Sequence, residues 1–72
     1  MMIEPDDLQR RFNFHPADTE HKRDTHNLVR NSCLHLAFQL DELVPDGREK
    51  SLAITNLEQV MFWANAGIAR NL

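Results

Sequence analysis

The sequence predicts an all-α fold: an antiparallel helical hairpin with a short N-terminal segment, assembled into a homo-oligomer. Three observations carry this. Apolar residues recur at three- and four-residue spacing in two long stretches, one on each side of a Pro-Asp-Gly turn. Strand-like alternation is absent, and there are only two glycines and three prolines to break helices. Both stretches also carry large apolar residues outside their main stripe, which a lone hairpin cannot cover.

The whole chain, 1–72, reads as one domain, divided into an N-terminal arm (1–16), a first helix (about 18–44) and a second (about 47–71). Within the arm, Pro5 suits the first position of a short helical turn through Asp6, Asp7 and Leu8. Equally, the arm fits a frayed or partner-ordered terminus. Phe12 and Phe14 alternate on an extended segment, with Pro16 biasing His15 toward extended geometry. Their rings either plug the open end of the hairpin or offer a stacking platform for a nucleobase.

The first helix starts after a cap at Asp18 or Thr19, or at Asp24 if it starts later. Its stripe is Val29, Cys33, Leu36, Ala37, Leu40, Leu43 and Val44, with Leu34 and Phe38 on the far side. Pro45-Asp-Gly47 ends it, and Asp46 with Glu49 has the spacing of a capping box for the next helix. The second helix, about six turns long, aligns Ala53, Ile54, Leu57, Val60, Met61, Ala64 and Ile68. Phe62 and Trp63 fall to either side of that stripe. So short a turn makes the two helices antiparallel neighbours.

Composition narrows the chemistry. A 72-residue chain buries only about 60% of its unfolded surface and usually needs an added stabiliser. Cys33 is the only cysteine, so no internal disulfide is available, and oligomerisation is the natural alternative. A lone cysteine, no signal peptide and no long apolar run point to the cytoplasm and away from a membrane. The net charge of −3 disfavours binding to a DNA or RNA polymer, but not to a small anion held by a few arginines. His15, His21, His26 and His35 contain no i, i+4 pair, and Cys33 lies on the core stripe. No metal, no cofactor and no catalytic constellation is expected, and the chain does not read as an enzyme.

The motifs RFNFHP (11–16) and GREKSLAITNLEQVMFWANAGIAR (47–70) resemble those of a family of small phage proteins. These are hairpin-domain sponges that sequester the cyclic oligonucleotide signals of CBASS and Thoeris defence. That family's patterns are roughly RFxYHP and REKSLALTxLEEAxxWANAAIAR. The resemblance implies immune evasion by sequestration in the cytoplasm of an infected bacterium, and a homohexamer. A cyclic-dinucleotide pocket would use Phe14 with His15, and a basic residue of the first helix, assigned to Arg30 with Lys22 and Arg23 as alternatives. Phe14 stands where the family has a tyrosine, so the stacking face is kept and the phenolic hydroxyl is lost. A separate cyclic-trinucleotide pocket would use Asn65 and Arg70. On a helical wheel these two lie about 140° apart, which suits copies arranged around a symmetry axis. The rival reading is a helical protein–protein adaptor using Phe38, Phe62 and Trp63. A nucleic-acid-binding helical module ranks third.

Overall fold

The computed structural model describes residues 2–72. They form three helices, α1 (Pro5–Phe12), α2 (Glu20–Leu43) and α3 (Arg48–Asn71), and no strand among the described residues. Helices α2 and α3 pair along their length as the expected antiparallel hairpin. The start of α2 therefore meets the end of α3, which brings the distant candidate residues to one end.

α1 is longer than the turn expected from sequence. Pro5 starts it, Asp6 and Asp7 occupy its first turn, and Arg10 and Arg11 its last, all favourable to the helix dipole. Asp7 pairs with Arg10 at 3.4 Å and with Arg11 at 3.1 Å, one turn along. Such exposed pairs contribute a few tenths of a kcal/mol each. This corrects two expectations: Phe12 ends a helix and is not extended, and neither Phe12 nor Phe14 plugs the hairpin. Both rings point into solvent, Phe14 being 87% exposed.

The helix ends follow from particular residues. Thr19 caps α2, its hydroxyl oxygen accepting from the Lys22 N–H at 3.1 Å, which is worth about 1 kcal/mol. At α3 the capping box does not form. Gly47 is the cap residue, with φ 156° and ψ −176°, a conformation open essentially to glycine alone. Asp46 is drawn instead to Lys50, whose ammonium lies 2.8 Å from Asp46 and 2.9 Å from Asp41. The hydrogen bonds with Asp46 and Asp41 raise the Lys50 pKa, and the bond from Lys50 lowers that of Asp46. This cluster ties the end of α2 to the start of α3 across the turn.

Packing is where the single chain falls short. Val29, Cys33, Ala37 and Leu40 of α2 with its C-cap Val44, and Ala53, Ile54, Leu57, Met61, Ala64 and Ile68 of α3, are half-buried along the seam. Leu36, Leu43 and Val60, placed on the stripes from sequence, are exposed. Contact with one partner helix covers a narrower arc than the apolar stripe, so its flanks stay open. Among the described residues no apolar side chain is fully buried.

The shape explains this. With its N-terminal arm the chain measures 45 × 37 × 12 Å, and 12 Å is about the diameter of one helix with its side chains. Its radius of gyration is 15.6 Å, against about 11 Å for a compact domain of this length. A stable domain needs at least two packed layers around a core. This chain supplies one.

Candidate functional site

The end of the hairpin where α2 starts and α3 finishes holds most of the polar side chains singled out from sequence. Asn65 is half-buried there because the α3 stripe (Met61, Ala64, Ile68) carries its side of the helix toward α2. Opposite it, His26 lies one turn before Val29 on the inward side of α2. The His26 Nδ1–H donates to Asn65 Oδ1 at 2.9 Å in a partly buried setting. With the Lys50–Asp41 pair at the other end of the hairpin, it ties the two long helices together through side chains.

Arg70 takes a different partner. Its guanidinium donates from Nη2 to the Arg11 carbonyl at 3.5 Å, at the last turn of α1. Carbonyls at that end lack helical partners and carry partial negative charge, so a cation is well placed. Asn65 is therefore engaged with α2 and Arg70 with α1. Their separation around the helix sends them to different neighbours, as the wheel angle anticipates.

His15 also serves the end of α1. Its Nε2–H donates to the Arg10 carbonyl at 2.6 Å, folding the 13–18 segment back over the helix terminus. Phe14, next to it, projects outward with its ring free on both faces. Arg30 lies along α2 with its guanidinium 3.3 Å from Asn27 Oδ1. Of the reserve cations, Arg23 donates to the Ala17 carbonyl at 3.1 Å. Lys22 is the one buried residue of the described chain, 8% exposed, and forms no ion pair among the described residues.

Arg30, Arg23, His26, Asn27 and Ala17 line a shallow cavity of about 240 Å³. Two guanidinium groups, an imidazole and an amide make it a donor-rich concavity, suited to an anion despite the chain's overall negative charge. Its volume falls short of the 300–1,000 Å³ of a complete small-molecule site. Further along the seam, Arg30 also borders an apolar groove of about 180 Å³ with Cys33, Leu34, Ala37, Ile54, Leu57, Glu58 and Met61. Arg30 thus stands between a polar cavity and an apolar groove. Phe14 borders neither.

Reading the sequence missed His26, weighed there only as a metal ligand, and Asn27. The signal for His26 was present: it continues the α2 inward series 26, 29, 33, 37, 40, 44 by one more turn. Among the described residues no three His, Cys, Asp or Glu side chains converge to hold a metal. No helix of the described chain is long and apolar enough to cross a membrane.

No match to the chain is found among curated proteins or solved structures. The family model for the Acb2/Tad1 hairpin domain matches residues 4–69, nearly the whole chain: α1, α2 and α3 as far as Ala69. The chain belongs to the Acb2/Tad1 hairpin-domain family, the anti-CBASS and anti-Thoeris sponge family that its motifs resemble.

Proposed function

We propose that this protein binds cyclic oligonucleotide signals as a homohexamer in the cytoplasm of an infected bacterium, and withholds them from host effectors without cleaving them. The family match over residues 4–69 carries the reading. Phe14 with His15 and Arg30 serves cyclic dinucleotides: the exposed ring stacks on a base, and the guanidinium takes a phosphate. Asn65 and Arg70 serve cyclic trinucleotides, each repeated phosphate meeting the same residues from a different copy.

The geometry supports this in two ways. The donor-rich cavity at Arg23, His26 and Arg30 is too small to hold a dinucleotide alone, as expected of one wall of a site completed by a neighbour. Arg70 and Asn65 occupy half-buried positions with one partner each, leaving further donors unspent. A sponge needs slow release and no reacting group, so phosphodiester cleavage calls for a base or metal that the proposal does not invoke.

Exposure of Phe38, Phe62 and Trp63 favours the second reading, a helical adaptor for another protein. One experiment separates the two. Excess protein is incubated with cyclic di- and trinucleotides, free ligand is measured, and the protein is then unfolded by heat. A sponge empties the solution and returns the ligand intact on chromatography. Linear fragments would make the protein an enzyme, and ligand that never leaves solution would favour the adaptor.

A further inference from the structure

We infer that His26 is a positioning residue for cyclic-trinucleotide recognition, holding the Asn65 carboxamide so that its NH₂ group, and not its oxygen, faces the ligand. The inference rests on the trinucleotide role proposed above for Asn65. A carboxamide has two chemically opposite ends, and free rotation would present donor and acceptor about equally to a ligand. Here the acceptor end is already committed: Asn65 Oδ1 receives the His26 Nδ1–H at 2.9 Å. The two donors of Nδ2 are then the part left to offer. They select an acceptor on the ligand, either a non-bridging phosphate oxygen or an unprotonated ring nitrogen of a base.

His26 is placed to do this firmly. It is half-buried on a 24-residue helix, at the start of the α2 seam, and Asn65 is half-buried on the facing helix. A group held on rigid elements loses less freedom on binding than one on a loop, which is the benefit of preorganisation. His26 also lines the cavity with Arg23, Asn27 and Arg30, and the ring atom that meets Asn65 is Nδ1, with Nε2 outside that contact. That leaves Nδ1 to fix the amide.

The test is a double-mutant cycle on calorimetric affinity for a cyclic trinucleotide, with each variant's assembly state and melting temperature recorded. His26→Ala should weaken binding about 3- to 10-fold, the effect of one net hydrogen bond. His26→Asn, which places an N–H near the position of Nδ1, should recover most of it. In an Asn65→Ala background, His26→Ala should cost nothing more. Asn65→Asp keeps the oxygen for His26 but removes both donors, so it should lose binding while still folding. In the free protein, nitrogen-15 NMR should show the His26 proton on Nδ1.

Failure of the wild type to bind any cyclic trinucleotide would overturn the underlying reading, and this inference with it. Wild-type binding that Asn65→Ala abolishes but His26→Ala leaves intact would overturn the positioning role alone. So would additive losses in the cycle, equal binding by Asn65→Asp, or a proton found on Nε2 with none on Nδ1.

Discussion

Trp63 offers the sharpest measure of whether the hairpin acts alone. In the single chain its side chain is 67% exposed. For such a surface position Trp63→Ala is expected to change hairpin stability by no more than about 0.5 kcal/mol. The proposed homo-oligomer changes that figure. A tryptophan buries about 150–250 Å² when covered, and two thirds of that area is still open here, leaving about 100–170 Å² to bury. At about 25 cal/mol per Å² the missing contact is worth about 2.5–4 kcal/mol per copy. The smaller value already weakens association about 70-fold. If the contact is isologous, each ring is counted twice and the loss doubles.

Sedimentation equilibrium over a dilution series reads this directly, with circular dichroism to confirm that the helices remain. Wild type should hold a mass several times that of one chain at concentrations where Trp63→Ala has dissociated. A variant that assembles over the same range as wild type would refute the reasoning for this residue. Were the same variant to keep its mass but lose stabilisation by cyclic nucleotides, the ring would belong to a ligand surface. A wild type that is a clean monomer would defeat the symmetric-pocket proposal altogether.

Three other expectations follow from the same geometry. Phe14→Ala should weaken cyclic-dinucleotide binding by about 1–3 kcal/mol while Arg70→Ala weakens only trinucleotides; calorimetry in which both variants lose both ligands with the oligomer intact would defeat the two-pocket assignment. Gly67→Ala should raise the melting temperature, since an added Cβ meets nothing within 4 Å in the hairpin and helix propensity favours alanine by about 0.5–1 kcal/mol; destabilisation of the assembly would instead mark Gly67 as a point of close approach between copies. For pH, the lowered Asp46 contributes stability present above its unfolded value of about 4 and lost as acid protonates it in the fold. The raised Lys50 contributes stability present below its unfolded value of about 10.4 and lost as alkali deprotonates it in the fold. Stability from this cluster should therefore be flat near neutrality, and Lys50→Met should reduce the drop at both extremes; an unchanged pH–melting profile would count against it.

Much of the hairpin was legible because it rests on local rules. The three- and four-residue spacing located both helices, Thr19 was among the named caps, and Pro45 with Gly47 marked the turn. Failures arose where two local signals competed. The spacing of Asp46 and Glu49 suits a cap, but an ammonium at Lys50 draws a carboxylate more strongly than a backbone N–H does. Phe12 was read as extended from its alternation with Phe14, whereas Pro5 and the paired charges of Asp7, Arg10 and Arg11 extend α1 through it. The His26–Asn65 bond could not be read from spacing, because the residues are 39 positions apart and meet only once the helices are in register.

The thickness of the hairpin links its stability to its proposed function. A slab one helix thick has two open faces and no interior, and in the proposed assembly one added layer would complete both core and pocket. Asn65 turns toward α2 and Arg70 toward α1, about 140° apart around the one helix that carries both. In the proposed assembly a neighbouring copy covers Leu34, Phe38 and Trp63 and also closes the donor-rich cavity beside Arg30. Binding and association are then thermodynamically coupled: a ligand seated between copies at 100 times its dissociation constant adds about 2.7 kcal/mol to whatever state holds it. In that assembly the contacts that complete the fold of a chain with no buried apolar core would be those that complete its site.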